Sequence, residues 1–299
     1  MHIILDTDIG TDVDDAMTLV QLIGCNKSEA MTITTVYGDT LLRAQIASRY
    51  ARLAGAEIKT YAGESETLSG KEIWLSGLEG SLHEGLEREK VEPTSAVEHL
   101  LASADDKSQE LVILAIGPLT NIAKACLVDS KFASKVKHLY VMGGRFTEGD
   151  AEHNFVSDAV AASIVFSAGF NATIVGLEAT HRIKMPSDLI ERIKQSGTAG
   201  LALSNDIYQW WEFWKETWNV PHDPIAALTF LDPTLFEFSE IGKVSVSSEG
   251  ADVGKSVFIP GSGNHRIVMD FDPHEVAETI VRAIEANQDV NLPSRASGY

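Results

Sequence analysis

Only two cysteines occur in 299 residues, Cys25 and Cys126, and they form neither a C-x-x-C pair nor a metal-ligand spacing. This excludes a disulfide-built scaffold and a thiolate metal centre, and it makes a reducing, cytoplasmic location the expectation. Basic residues are also few, since 24 Lys and Arg against 43 Asp and Glu leave a formal charge of -19. Such a field repels phosphate backbones and anionic lipid faces while concentrating divalent cations, so neither nucleic acid nor a membrane is an expected partner. No basic n-region or cleavage site surrounds the first apolar run, His2-Ile3-Ile4-Leu5, which speaks against a secretory leader. The one uncharged stretch near membrane-span length, Ala159 to Leu177, is broken by Gly169-Phe170-Asn171 and reads as helix, turn and strand. There is no Pro/Ser-rich linker, internal repeat or low-complexity tract, so a single domain over residues 1–299 is expected.

A hydrophobic content of 44% with 22% charged residues is enough for a sizeable core. Short apolar or β-branched runs at Ile3–Leu5, Met31–Tyr37, Leu111–Ile116, Leu139–Met142 and Thr173–Leu177 predict strands. Helical spacing between them covers Asp14–Gly24, Leu41–Leu53, Thr94–Ala102, Asn121–Cys126, Asp158–Ser167 and Pro186–Lys194. This alternation predicts an α/β fold, with an open, mainly parallel central sheet flanked by helices and a ligand site at the carboxyl ends of its strands. The Gly- and Glu-rich segment Gly63–Val91 reads as a long loop or lid.

Directly after the first strand comes Asp6-Thr7-Asp8-Ile9-Gly10-Thr11-Asp12-Val13-Asp14-Asp15, five carboxylates in ten residues. Like charges this crowded require a cation or raised pKa values to coexist. Calcium suits such a place, because it takes roughly 6–8 oxygen ligands from carboxylates, carbonyls and water. An EF-hand is excluded, since the Glu at loop position twelve and the two flanking helices are missing. Asp12 alone reads as a helix cap. The segment resembles the N-terminal signature of the inosine-uridine nucleoside hydrolase family, D-x-D-x-G-x-D-D-A, in a form two residues longer. The resemblance implies that Asp8 and Asp15 ligate Ca²⁺, that Asp8 also activates the attacking water, and that Asp14 holds a ribose hydroxyl.

Three further segments extend the resemblance from Ile3 to about Ala283. Gly117-Pro118-Leu119-Thr120-Asn121 is a sharp strand-to-helix turn similar to the family's G-P-L-T-N, which implies that the Thr120 carbonyl is a calcium ligand. Met142-Gly143-Gly144 with Glu152-His153-Asn154 resembles the family's sugar-binding segment. On an extended strand, Glu152 and Asn154 would share one side and clamp a diol, while Asp158 reads as the cap of the next helix. His222-Asp223-Pro224 matches the family's H-D-P, implying that Asp223 closes the metal site and that His222 binds the leaving base and protonates it. An unperturbed histidine pKa of ~6.5 suits that role.

Two positions depart from the family pattern. Asp39 stands where Asn is usual and is expected to put another carboxylate near the metal and the attacking water and to contact the sugar with Asp14, Glu152, Asn154 and Asp223; Leu78 takes a place often held by His, with His83 on the same segment expected in solvent. Trp210, Trp214 and Trp218 are expected on one helical stripe, either packing a helix or subunit, or walling a base pocket. The expected activity is hydrolysis of a small-molecule ribonucleoside to ribose and free base, by a homo-oligomer that the family implies is a dimer or tetramer. Two rival readings are a ribose- or calcium-binding homologue without turnover and a haloacid dehalogenase-type phosphatase, which would use Asp6 and Asp8 but needs a second acidic pair after a later strand. Asp105-Asp106 precedes a strand instead.

Overall fold

A computed structural model describes residues 1–287, so the last twelve residues of the expected 1–299 domain lie outside the described residues. Ten strands form the sheet: β1 (His2–Thr7), β2 (Met31–Thr35), β3 (Thr60–Ala62), β4 (Leu111–Ala115), β5 (His138–Met142), β6 (Ala172–Val175), β7 (Phe236–Phe238), β8 (Gly242–Val246), β9 (Ser256–Pro260) and β10 (His265–Phe271). Their order is β3-β2-β1-β4-β5-β6-β10-β8-β9, with β7 also paired to β10. From β3 through β6 to β10 the pairing is parallel, and only β7, β8 and β9 add antiparallel edges. β1 pairs β2 on one side and β4 on the other, with Asp6 level with Thr34 and Ala115. The chain therefore reverses its direction of travel across the sheet between β1 and β4. In an open parallel sheet this reversal leaves a crevice beyond the carboxyl ends of the two strands.

Twelve helices cover the sheet: α1 (Asp14–Gly24), α2 (Thr40–Leu53), α3 (Ala96–Asp106), α4 (Thr120–Val128), α5 (Phe132–Lys135), α6 (His153–Ser157), α7 (Ala159–Ser167), α8 (Leu177–Thr180), α9 (Ser187–Lys194), α10 (Thr198–Trp214), α11 (His222–Leu231) and α12 (Pro273–Glu285). α1, α2, α11 and α12 pack together over one face, while α3, α4, α5 and α7 cover the other. Because both faces are covered, β1, β2 and β4 are buried almost throughout and read as short apolar or β-branched runs, which is why these strands are visible in the sequence.

All five expected strands and all six expected helices are present, with ends shifted by a few residues. The uncharged stretch is indeed α7, a turn at Gly169 and β6. β3 and β7 were missed because each has three residues, and β8 because only alternate residues are buried, which leaves no apolar run. The Gly63–Val91 segment contains a single short 3-10 turn, Leu86–Arg88. No helix among the described residues is long and apolar enough to cross a membrane.

Phe132 is fully buried at α5, edge-on to Phe170 with ring centroids 6.0 Å apart. It belongs to the core on the α3–α5 face, away from the carboxyl-end crevice. Truncation there leaves a large void. Phe132→Ala is therefore expected to lower unfolding free energy by roughly 3–5 kcal/mol in a urea titration while leaving catalytic parameters unchanged.

Candidate active site

The crevice at the β1/β4 reversal opens into a cavity of about 1080 Å³. Its acidic floor is built from helix starts. Asp14 and Asp15 stand in the first turn of α1 and Asp223 in the first turn of α11, where backbone N–H groups and the helix dipole favour negative charge. The two helices pack against each other, and the Asp223 N–H donates to Asp14 Oδ2 at 3.3 Å. Among the described residues, oxygens of Asp14, Asp15 and Asp223 all lie within 4.8 Å of one another. Asp15 also accepts from the Thr7 hydroxyl. Asp8, at the end of β1, lines the same cavity but stands outside that group of three. Its carboxylate lies against Gly117, where a Cβ would come within 2.6 Å of Oδ1, so the turn after β4 needs glycine.

Burial is nearly complete at these acids, with exposures of 8% for Asp8, 4% for Asp14, 5% for Asp15 and 3% for Asp223. Loss of hydration pushes all four carboxyls above the usual carboxylate range, and their mutual repulsion lifts Asp14, Asp15 and Asp223 further. The nearby Arg43 charge works against this at Asp8. Asp6, beneath the site, accepts from Thr34 and Asn121, yet burial still pushes it up to about 7. Asp12 is not a helix cap: its carboxylate accepts from the Val13 N–H at 2.6 Å, lines the cavity and is raised by burial to about 7. This all-oxygen donor set, with neither His nor Cys within it, fits a hard divalent cation.

Glu152 and Asn154 line the cavity, but not from an extended strand. Glu152 is the N-cap of α6, accepting from the N–H groups of Asn154, Phe155 and Gly144, while Asn154 Nδ2 donates to the Ile116 carbonyl at 2.9 Å. Unpaired helix-start donors hold the carboxylate, and that requirement overrides the strand expectation. Asp158 caps α7 as expected and also takes the Thr120 hydroxyl at 2.7 Å.

Two expected ligands are elsewhere. Thr120 begins α4, so its carbonyl belongs to the first helical turn and its hydroxyl to Asp158; the residue bordering the cavity from this turn is Ile116. Asp39 does not line the cavity. It is exposed and caps α2 through the Leu42 N–H at 3.0 Å, a demand that any residue entering that helix would face. Leu78 likewise lines only a small pocket behind the Asp8–Val13 loop. His83, expected in solvent, is buried there, 2.9 Å from Asp206 and edge-on to Tyr50. The second acidic pair of the phosphatase reading also fails, because Asp105 and Asp106 end α3 before β4 and so lie at the opposite sheet edge.

His222 reaches the cavity at the start of α11, with Nδ1 2.7 Å from the Thr180 hydroxyl and its ring edge-on to His181. Burial, with His181 adding to it, lowers its pKa to about 3, so the ring is neutral near pH 7 and is not the cationic acid that an unperturbed value implied. The aromatic stripe is shorter than expected, since α10 stops at Trp214 and Lys215 turns left-handed at φ 60°. Trp210, Trp214 and Trp218 nevertheless all line the cavity, and Trp74 comes within 6.5 Å of Trp214 from the irregular 63–91 segment. Sequence reading also missed Tyr37, His153, His181 and Asn219 in the lining. Of these only Tyr37 carried a signal, a bulky residue before Gly38, and it takes a left-handed φ of 71°. His138 and His265 serve structure, through Thr173 and the Val244 N–H.

The sequence profile of the inosine-uridine preferring nucleoside hydrolase family matches residues 3–278. Uridine nucleosidase 1 of Arabidopsis thaliana is 31% identical over 281 residues, covering 87% of this chain and 82% of that one. The inosine-uridine preferring nucleoside hydrolase of Crithidia fasciculata is 28% identical over 280 residues, covering 84% and 87%. A solved plant nucleoside hydrolase superposes with a TM-score of 0.84 at 26% identity, covering 95% of this chain and 99% of its own.

The raised carboxyls set a pH dependence. Folded Asp6 and Asp12 keep a proton up to about pH 7, whereas unfolded they release it near 3.8, so their stabilising contribution is lost as pH rises through about 7. The buried histidines act oppositely, but only below their unfolded value of 6.5. Chelator-treated protein should therefore melt a few degrees lower at pH 8 than at pH 6.5, at roughly 2–4 °C per kcal/mol. A divalent cation that fits this donor set should restore more stability at pH 8 than at pH 6.5, and a flat or rising melting temperature without metal would contradict this assignment of charge.

Proposed function

The chain belongs to the inosine-uridine preferring nucleoside hydrolase family, and we propose that it hydrolyses the N-glycosidic bond of ribonucleosides, giving ribose and free base. The observation that carries this reading is the convergence of Asp8, Asp14, Asp15 and Asp223 with Glu152, Asn154 and His222 around one cavity. Asp14, Asp15 and Asp223 would hold Ca²⁺, with Asp8 beside them. The uncharged ligand expected from the turn after β4 falls to the Ile116 carbonyl, which Asn154 also grips, rather than to Thr120. When bound, the cation acidifies a water and draws the ribose diol toward the acidic floor.

Asp8 takes the proton of the attacking water, a role suited to a buried carboxylate whose basicity is raised. Asp14, Glu152 and Asn154 orient the ribose hydroxyls. Asn154 offers an amide already fixed on the Ile116 carbonyl, and Glu152 is held by three backbone N–H groups, so little ordering remains when sugar binds. Attack on an oxocarbenium-like carbon sends charge into the departing base. His222 meets that charge as a neutral ring whose Nδ1 pairs with the Thr180 hydroxyl at 2.7 Å; with the ring hydrogen on Nε2, the tautomer in which Thr180 donates to Nδ1, it would donate to the departing base. The tryptophans and Trp74 would give the base a flat apolar wall. The non-hydrolytic alternative loses its support, because neither Asp39 nor Leu78 lines the cavity. The proposal includes a single domain, a cytoplasmic location consistent with two unpaired cysteines, and a dimer or tetramer.

Reducing-sugar release from inosine, uridine, adenosine, guanosine and cytidine tests the reading. Wild type should cleave at least one, and Asp8→Ala should lower kcat by roughly 10²–10⁴ with the protein still folded; no release from any of the five would sink the assignment. Thr180→Val should lower kcat about tenfold with KM little changed, because the His222 ring loses the hydroxyl that pairs with its Nδ1. Unchanged kcat would remove Thr180 from the mechanism.

A further inference from the structure

Arg43 is the largest side chain buried to 1% exposure or less, and it forms no salt bridge among the described residues. It rises from the first turn of α2 beneath the loop joining Asp8 to Asp14. All of its hydrogen bonds go to oxygens of that loop or its neighbour: Nε to the Tyr37 carbonyl at 2.6 Å, Nη1 to the carbonyls of Asp8 and, at 2.9 Å, Ile9, and Nη2 to Thr11 Oγ1 at 3.0 Å. Thr11 Oγ1 passes its own hydrogen to Glu79 at 3.0 Å. Ile46, one turn further along α2, fills the space above Gly10, whose φ of 115° bends the loop.

Burying a guanidinium without a paired carboxylate is costly unless its fixed fork of donors is satisfied by rigid acceptors. Here three of the four acceptors, the Asp8 and Ile9 carbonyls and the Thr11 hydroxyl, belong to the segment that is two residues longer than the family signature, and the fourth is the Tyr37 carbonyl. A longer loop has more conformations to lose before its carboxylates can share one ion. We propose that Arg43 is a positioning residue, clamping the Asp8–Thr11 backbone so that Asp8 and the α1 acids face one cation site before the cation arrives. The inference rests on the metal site proposed above, and it assigns Arg43 no contact with substrate.

Charge and geometry make opposite predictions here. Removing a cation beside the acidic cluster makes the site more negative, so on charge alone Arg43→Met should tighten Ca²⁺ binding. If Arg43 works by clamping the loop, the same change should weaken it. Isothermal titration of chelator-stripped protein with Ca²⁺ reads the difference without any turnover. Arg43→Met is expected to weaken binding about tenfold or more, and unchanged or tighter binding overturns the proposal. Arg43→Lys keeps the charge but cannot span all four acceptors, so it too should bind several-fold more weakly; it decides the matter if the Met variant does not fold, and wild-type affinity in it overturns the clamp. Arg192→Met, which cuts ion pairs to Glu278 and Glu285 between α9 and α12, controls for general destabilisation and should leave Ca²⁺ affinity unchanged. Failure of wild type itself to bind Ca²⁺ rejects the metal site along with the clamp, whereas binding that is equal in wild type and both variants rejects the clamp alone.

Discussion

Asp8, Asp14, Asp15 and Asp223 repel one another and are nonetheless buried together at a single point of the sheet edge, and much of the architecture serves to keep them there. Two carboxylates close together in a medium of low polarizability cannot both ionise without compensation, and here there are four. The fold supplies part of it through the dipoles at the starts of α1 and α11, with the Asp223 N–H donating to Asp14, and part through the Arg43 charge beneath the loop. The remainder calls for a divalent cation, the occupant proposed for this site. Without one, protons are the alternative, which is why the metal-free site and the pH of the solution are linked.

The same constraint explains where the site lies. Reversal of the chain between β1 and β4 opens a gap that no side chain of the sheet fills, and the strand ends on either side deliver Asp8 and Ile116 to it. Gly117 keeps the β4 turn clear of the Asp8 carboxylate. The neighbouring β5 leads to Gly143 and Gly144 and then to α6, whose cap Glu152 takes the Gly144 N–H. Three neighbouring strands of the parallel sheet and the helix α6 thus contribute to one wall, while α11 closes the floor from more than two hundred residues away.

Around that polar floor the cavity is rimmed by aromatic rings, from α10, from the 215–221 segment and from the irregular 63–91 segment. The division is chemical. Hydroxyl-rich sugar requires charged and amide partners held rigidly by backbone bonds, whereas a planar base requires only apolar faces and a donor such as the neutral His222 ring. Burial thus raises the basicity of the carboxyls and keeps the histidine neutral within one cavity.

The sequence by itself determined what was local. The short apolar or β-branched runs of β1, β2 and β4 and the 3.6-residue spacing of the helices over them fixed the α/β class, because strands covered on both faces carry few charged residues and show no polar alternation. Five acids in ten residues after a strand marked the site, since no ordinary surface loop concentrates like charge in that way. Only the tertiary structure decided which oxygens converge. A backbone carbonyl leaves no trace in residue type, and only the structure showed that Ile116 borders the cavity while Thr120 begins α4 and bonds Asp158. Asp39 carries the right chemistry but faces a helix end, and Arg43, unremarkable in sequence, is buried under the acids by the packing of α2 against their loop. Both outcomes depend on the direction a side chain takes once its backbone donors and acceptors are satisfied, and that is settled by neighbours distant in the chain.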